Sequence, residues 1–349
     1  MSNRTINLLI PLISIVLGLL VGAIVMIVSG FNPVNGYTAL FNGIFGTPYK
    51  MGETVRQIVP YVFSGLAVAF AFRTGLFNIG VEGQLIMGWF AAAYVGFTFD
   101  LPTIIHIPLA ILAAAAAGAI WAFIPGLLKA KLQVHEVIVT IMMNYIALRL
   151  VNVFIDVVAD GADRTPKILE SASLRSDFFA SITNSSRMHW GIVIAIIAVM
   201  LMWVLLERTT RGYELKSVGF NKNASHYAGM SVSKNIILAM VISGAFAGIG
   251  GAMEALGTYG NMPKLTASTG IGFDGIAVAL LGYNNPIGVF FAAILFGALK
   301  FGGNNMWSEA RIPVEIVSIV ISLIIFFVAS GYIIRVVLER IGKKEKGGK

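Results

Sequence analysis

Long apolar runs recur along the whole chain and constrain its fold more than any other feature. A helix that spans a bilayer needs about 20 apolar residues, because it rises about 1.5 Å per residue through a hydrocarbon core about 30 Å thick. The predicted fold class is therefore an all-α polytopic membrane protein with about ten transmembrane helices. The runs predict crossings at 7–29, 55–72, 75–98, 104–128, 134–158, 189–206, 235–256, 270–283, 286–301 and 312–334. The second, eighth and ninth are short and lie near Gly or Pro, so we expect broken or re-entrant helices there.

Composition excludes several other classes of protein. Hydrophobic residues make up 57% of the 349-residue chain and charged residues only 12%, against about 25% charged residues in soluble domains. The chain has no cysteine and its four histidines lie far apart, so it offers no disulfide framework, thiol nucleophile or metal-ligand spacing. We predict a single membrane domain over residues 1–349, and no enzyme activity.

The distribution of Lys and Arg predicts the orientation. If both termini are cytoplasmic, 15 of the 25 Lys and Arg residues fall in inner segments, as the positive-inside rule requires. Residues 159–188 then form an extracytoplasmic loop and residues 207–234 a cytoplasmic loop. The basic tail at 335–349 would lie near anionic lipid. The net charge of +8 thus reflects membrane topology and not nucleic-acid binding.

The third predicted crossing carries an unusual set of polar residues among glycines. Asn78, Glu82 and Gln84 lie within residues 75–97. An ionisable side chain at the centre of a membrane helix costs about 2.5 to 3.5 kcal/mol, so Glu82 should face a bundle interior or a pathway. A substrate pathway and a brace for a broken helix both explain these residues.

Other acidic residues also lie within or at the ends of predicted crossings. Together with Glu82 they are Glu136, Asp156, Glu254, Asp274 and Glu315, and Arg149 is the only base in these crossings. Asp274 lies in the sequence IGFDG (residues 271–275), which matches IGVEG (79–83) at the same ordinal position in the second half. This match predicts a five-plus-five inverted repeat with broken helices, in which Asp274 mirrors Glu82.

Asn144 and Tyr145 form a second polar interruption, in the fifth crossing. They are further candidates for the substrate pathway, with an interhelical hydrogen bond and simple packing as the alternative. A pathway of this kind suits a neutral polyhydroxylated or ring-bearing solute, because it lacks the basic cluster that phosphate or carboxylate cargo requires.

The loop at 207–234 predicts a compact helical element. GYELKSVG can form one helix, Asn221 or Asn223 can cap the start of a second, and Gly229 can end it. Such an element at the membrane surface is typical of a docking site for a partner, although a solvated basic loop would give a similar sequence.

Four segments together resemble a known family. FNIGVEGQLIMG, EVIVTIMMNYIA, TTRGYELKSVGFNKNASHYAGM and ISGAFAGIGGAMEA are similar to permease subunits of ATP-binding-cassette (ABC) importers of the ribose, branched-chain amino acid and simple-sugar group. The resemblance covers about residues 56–331. It is strongest to the branch that imports nucleosides with a basic-membrane-lipoprotein-type binding protein.

The resemblance implies several partners in a bacterial cytoplasmic membrane. These are a cytoplasmic ABC ATPase, a second related permease, and an extracytoplasmic substrate-binding lipoprotein. The permease pair would be a heterodimer, with a homodimer left open. This chain would bind no cofactor, and ATP would be used by the ATPase. Five residues would couple the permease to that ATPase: Glu214, Gly219, Asn221, Ala224 and Gly229.

Two other functions stay open at this point. The cargo could be ribose or another simple sugar. Alternatively, the chain could act alone as an ion-coupled secondary transporter that uses its intramembrane acids as cation sites.

Overall fold

The computed structural model describes residues 3–330, and within them the fold is helical with no strand. The predicted basic tail at 335–349 lies outside the described residues. A 3₁₀ turn at Glu170–Ala172 precedes α7, and α11 continues as a π-helix at Glu254–Tyr259. The helices are α1 Asn3–Val28, α2 Pro33–Phe45, α3 Pro48–Arg73, α4 Val81–Thr98, α5 Thr103–Leu132, α6 Glu136–Val158, α7 Asp177–Ile182, α8 Gly191–Arg208, α9 Thr210–Phe220, α10 Lys222–Tyr227, α11 Val232–Met253, α12 Ile271–Leu281, α13 Pro286–Ser308 and α14 Val314–Ala329.

The structure confirms a multi-pass helical protein with a short eighth crossing, and it corrects two details. Among the described residues, α3, α5, α6, α8, α13 and α11 with its π-helix are long and apolar enough to cross a membrane. The second and ninth crossings are continuous helices of 26 and 23 residues, so the prediction that they are broken was wrong. The third crossing does not begin as a helix at Gly75 but at Val81. The eighth, α12, has 11 residues and spans only about 16 Å, which is too short to cross a bilayer alone.

The chain divides into two compact units, and Gly52–Gly297 form the larger one. Its centre is the packing of α4, α5 and α11. Glycines lie where these helices touch: a Cβ on Gly88 or on Gly118 would overlap the backbone of α11 at Gly248 or Gly244. Small residues allow such close backbone approach, which is how helices associate in a membrane without a hydrophobic driving force.

The smaller unit comprises Met1–Met51 with Ala298–Lys349. Its described part pairs α1 with α14, and α2 packs beside α1. The Tyr37 hydroxyl of α2 donates to the Leu19 carbonyl of α1 at 2.5 Å. Asn32 caps the start of α2 by accepting from the Val34 amide at 2.9 Å.

The π-helix at Glu254–Tyr259 is fixed by a segment that we call the strap, residues 163–175. The strap runs beside residues 256–264, and its Leu174 and Ile168 amides donate to the carbonyls of Leu256 and Gly260 at 3.0 and 2.9 Å. Arg175 donates from Nε to the Gly257 carbonyl at 2.8 Å and from Nη2 to the Thr258 carbonyl at 2.5 Å. The last carbonyls of a helix have no helical partners, and this guanidinium supplies donors to two of them.

Candidate functional site

Glu82 lies at the start of α4 and is 1% exposed. Its Oε1 accepts hydrogen bonds from Ser268 Oγ at 2.6 Å, from the Thr269 amide and hydroxyl at 2.6 and 2.7 Å, and from the Gly270 amide at 3.1 Å. Its Oε2 accepts from the Gly272 amide at 2.7 Å. Five donors therefore surround one carboxylate at the N-terminus of α12. Charge-assisted bonds and the helix dipole stabilise such an anion without a basic partner.

The two matching motifs, IGVEG and IGFDG, touch each other. A Cβ on Gly272 would overlap the backbone of Glu82. Asp274, two residues further along α12, is partly buried, and the Tyr61 hydroxyl donates to its Oδ2 at 3.5 Å. The motifs thus meet inside the larger unit, while the inverted repeat remains a prediction.

Asn78 and Gln84 hold the non-helical segment between α3 and α4. Asn78 Nδ2 donates to Gln84 Oε1 and to Ser243 Oγ, both at 2.9 Å, and the Gly80 amide donates to Asn78 Oδ1 at 2.9 Å. Ser243 in turn donates to the Ala67 carbonyl at 2.6 Å. Buried side-chain amides with satisfied hydrogen bonds fix a chain break that would otherwise expose backbone polar groups.

Asn144 and Tyr145, the other predicted pathway residues, differ in burial. Asn144 Oδ1 accepts from the Gly83 amide at 2.8 Å, and its Nδ2 donates to the Ile79 carbonyl at 3.0 Å. Tyr145 is 64% exposed on α6. The structure therefore brings Asn78, Glu82, Gln84 and Asn144 into one neighbourhood, with Tyr145 outside it.

A cavity of about 500 Å³ lies on the other side of the segment that binds Glu82. Ser268 and Thr269 contribute to its wall, whereas none of the six predicted pathway residues lines it. The lining combines residues 263–269 and Ile271 with side chains from α3, α4, the π-helix and the loop before α8: Arg56, Gln57, Tyr61, Trp89, Arg187, Glu254 and Tyr259.

Sequence reasoning missed most of this lining. Glu254 was visible as an acid in the seventh predicted crossing, but nothing local distinguished it from the others. The aromatic residues Tyr61, Trp89 and Tyr259 had no sequence signal, because they meet only through tertiary packing.

Most of the formal charges around the cavity are paired. Glu53, which is 1% exposed, accepts from Arg56 Nε at 2.8 Å and from Arg187 Nη2 at 2.9 Å. Lys264 pairs with Asp156 at 2.6 Å. Glu254 is 3% exposed and accepts from the Thr258 hydroxyl at 3.2 Å. Each of the three basic residues is thus already bonded to a carboxylate, which leaves fewer donors for an anion and suits an uncharged polar solute better.

The predicted helical element at 207–234 is confirmed as α9 and α10. Asn221 caps α10 by accepting from the Ala224 amide at 3.0 Å. Gly229 has φ +81, and the bonds from its amide to the His226 carbonyl and from Met230 to Ser225 end the helix. Phe220 and Tyr227 are 89% and 91% exposed on this element.

The element α9–α10 is attached to the end of α3. Glu207 binds Arg73, and it accepts from Lys216 Nζ at 2.8 Å. A Cβ on Gly219 would lie 2.6 Å from the Thr74 carbonyl carbon, so α9 touches the turn after α3 through backbone atoms. Glu214 Oε2 accepts from Arg211 Nη1 at 3.0 Å and from Asn235 Nδ2 at 3.5 Å.

Comparison with known proteins gives consistent matches. The family model described as "Branched-chain amino acid transport system / permease component" matches residues 51–329. The guanosine ABC transporter permease protein NupP of Bacillus subtilis (strain 168) is 59% identical over 345 residues, covering 99% of each chain. The nucleoside ABC transporter permease protein NupB of Lactococcus lactis subsp. cremoris (strain MG1363) is 42% identical over 348 residues, covering 97% of this chain and 95% of that one.

A third relative shows that such permeases occur as pairs of different chains. The guanosine ABC transporter permease protein NupQ, from the same Bacillus strain as NupP, is 29% identical over 257 residues, covering 70% of this chain and 78% of that one. Since the family match extends over most of the chain, this protein belongs to the branched-chain amino acid transport system / permease component family and is a transport subunit, not an enzyme.

Proposed function

We propose that this chain is a membrane-spanning permease subunit of an ABC importer that passes nucleosides across the cytoplasmic membrane. The observation that carries the proposal is the nearly end-to-end identity of 59% and 42% to permeases named for guanosine and for nucleosides. The cavity supports it, because aromatic faces, hydroxyl groups and paired charges suit an uncharged solute with a ring and several hydroxyls.

In this proposal the chain acts with three partners. A second, related permease completes the pathway, a cytoplasmic ATPase binds α9–α10, and a substrate-binding lipoprotein docks on the outer loop at 159–188. The exposed aromatic residues Phe220 and Tyr227 support a docking role for α9–α10, since large exposed apolar side chains on a small element mark interaction surfaces. ATP is consumed by the partner, and both termini lie in the cytoplasm.

A continuous set of contacts supports coupling between α9 and the cavity. Movement of α9 would reach the turn at Gly75 through Gly219. The following segment carries Asn78 and leads to Glu82, whose carboxylate holds Ser268 and Thr269 in the cavity wall. In the proposed mechanism, ATP-driven closure of the ATPase moves α9–α10 and thereby changes access to the cavity.

Uptake measurements test the cargo and the energy source. We expect cells that express this chain with its ATPase, second permease and binding protein to accumulate radiolabelled guanosine. Uptake should stop when the ATP-binding lysine of the ATPase is replaced, and it should survive a protonophore while ATP is maintained. Uptake of ribose in place of guanosine would contradict the proposal that the cargo is a nucleoside. Uptake that survives loss of the ATPase and collapses with the protonophore would indicate a secondary carrier.

Gly229 tests the docking surface. A Cβ at Gly229 meets nothing within 4 Å, so Gly229→Leu adds no clash within the chain, and its positive φ costs roughly 1 kcal/mol. We expect this variant to insert normally but to lose guanosine uptake, because the added side chain faces the ATPase. Gly30→Leu is the matched control, since Gly30 has φ +83 and equally open surroundings. Equal uptake by both variants would contradict docking at Gly229.

A further inference from the structure

Glu254 is a buried acid that the transport scheme above does not use. It is the first residue of the π-helix and lies in the cavity wall. Within residues 3–330, its one hydrogen bond from another side chain is the Thr258 donation to Oε1 at 3.2 Å. A carboxylate has about four lone-pair sites, so Glu254 keeps acceptor capacity for a molecule in the cavity.

Two aromatic rings share the cavity wall with this carboxylate. Trp89 and Tyr259 have centroids 5.0 Å apart at an interplanar angle of 31°, and both line the cavity. Trp89 is 2% exposed and its Nε1 donates to the Asn261 carbonyl at 3.0 Å, so its ring is fixed and supports that of Tyr259. Tyr259 is 48% exposed, so part of its ring is available for contact. Aromatic side chains bind the flat face of any nucleobase by stacking.

The wall that carries Glu254 and Tyr259 is held in place from behind. Arg175 of the strap donates to the carbonyls of Gly257 and Thr258. The ring of His189 packs against Gly257, where a Cβ would lie 2.5 Å from three ring atoms. A π turn inside a helix is frequently found at functional sites, and here its widened backbone is braced on the side away from the cavity. The acceptor and the ring are therefore positioned before any ligand enters.

We propose that this cavity is a nucleoside-binding site within the permease itself, in which Glu254 accepts hydrogen bonds from two adjacent donors while Tyr259, supported by Trp89, contacts the base. The inference rests on the proposed nucleoside transport and deepens it. A nucleoside offers such donor pairs in its vicinal ribose hydroxyls and, for guanosine, in N1–H and the exocyclic amine.

The test uses the complete importer with its binding protein saturated by each nucleoside. Glu254→Gln should lower guanosine uptake about tenfold, because the amide replaces one acceptor oxygen by an NH2 group that cannot accept from the second donor. The matched control is Glu315→Gln, an exposed carboxylate on α14, which should transport like the wild type. The amount of assembled complex in the membrane should match that of the wild type in both variants.

Substrate analogues identify the donors. The binding protein is the same in every assay, so its own preference cancels when wild-type and variant selectivities are divided. If the ribose hydroxyls bind Glu254, the wild-type preference for guanosine over 2′,3′-dideoxyguanosine disappears in Glu254→Gln. If the base edge binds it, the preference for guanosine over inosine disappears instead. Unchanged preferences in both comparisons, with normal uptake, would overturn the proposal.

Tyr259 provides an independent variant if Glu254→Gln fails to assemble. Tyr259→Phe keeps the ring and should transport normally, whereas Tyr259→Leu should lose about tenfold or more of guanosine uptake, the effect expected from losing one base–aromatic stack. Equal uptake by the two variants would overturn the proposal. A wild-type importer that takes up no nucleoside would instead contradict the proposed function, independently of either residue.

Discussion

A carboxylate buried among apolar helices needs hydrogen-bond donors around it, and Glu82 shows one way to supply them. Three of its five hydrogen bonds come from backbone amides at residues 269, 270 and 272. Backbone amides hold fixed positions in a turn, so they surround an anion without the entropy cost of ordering long basic side chains. Glu82 thereby joins the start of α4 to the start of α12.

Replacing Glu82 by Gln should destabilise the larger unit. An amide group cannot accept at both ends, so it leaves a buried amide donor without a partner, at a cost of about 1 to 3 kcal/mol. We expect a lower apparent melting temperature of the detergent-solubilised protein and less assembled complex. Glu315→Gln, at an exposed position, should melt like the wild type. Normal stability combined with lost uptake would instead indicate that Glu82 contacts the solute.

His189 should make stability depend on pH. Burial, together with the positive charges of Arg56 and Arg175, lowers the pKa of His189 from 6.5 to about 3. Between these values the unfolded chain binds a proton that the folded chain does not bind, so the free energy of unfolding falls as the pH falls. At pH 5 the loss amounts to about 2 kcal/mol relative to pH 7.5.

Thermal unfolding at pH 7.5 and pH 5 checks this dependence. His189→Asn should be less stable at pH 7.5, since the buried ring is lost, but should lose less stability than the wild type on acidification. His226→Asn, at an exposed position, is the control and should keep the wild-type pH response. A His189→Asn protein with the wild-type pH response would contradict the assignment.

From the sequence, individual site residues could be identified only where a polar group in a membrane helix has an evident free-energy cost. Glu82, Asn78 and Asn144 stood out because polar groups are expensive in a membrane helix, and the structure shows all three buried and hydrogen-bonded. The partners of Glu82 lie 186 to 190 residues away in sequence, so its geometry could not be predicted. Glu254 was equally costly, but the cavity that distinguishes it exists only after folding.

At the scale of elements, the contact between α9 and the turn after α3 has unusual stiffness. Gly75, at φ +72, and Gly219 meet through backbone atoms. Side chains at an interface can change rotamer and absorb a displacement, whereas backbone atoms in van der Waals contact cannot. The salt bridges from Glu207 to Arg73 and Lys216 hold the same two elements together.

Adding a side chain at this contact should weaken coupling. In Gly219→Val the first added atom would lie 2.6 Å from the Thr74 carbonyl carbon, so α9 must move away. We expect several-fold less guanosine transported per ATP hydrolysed in proteoliposomes. Gly36→Ala is the control, since a Cβ there would meet only the outer side-chain atoms of Met26, Met306 and Ile312, which can adjust. An unchanged transport-to-hydrolysis ratio in Gly219→Val would contradict a role for this contact.

The sequence predicted the ends of a helix well where the length of an apolar run determines them. The long helices lie close to their predicted positions, whereas α2 at Pro33–Phe45 was missed. Its 13 residues include two glycines and two asparagines, so its sequence lacks the length of a crossing. The start of α4 was misplaced because apolar residues continue through Leu76 and Phe77, while the turn at Gly75 and the Asn78 hydrogen bonds interrupt the helix.

At the scale of the whole molecule, this chain should work only with a different second permease. NupP and NupQ are distinct chains of one organism, both named for guanosine. We expect the affinity-tagged chain, expressed with its partner permease and ATPase, to purify together with both of them. The two permeases should be present in equal amounts. Removing the partner permease should abolish uptake. Full guanosine uptake by a complex that contains only this permease would indicate a homodimer.

The hydrogen bonds of Arg175 to the π-helix also set an order of assembly. The carbonyls that this guanidinium meets lie 82 and 83 residues further along the chain. During synthesis the strap therefore emerges well before the segment that it will hold. The wall carrying Glu254 cannot be completed until both segments have been synthesised, so a chain that stops before Gly257 contains Arg175 but has neither carbonyl for it to bind.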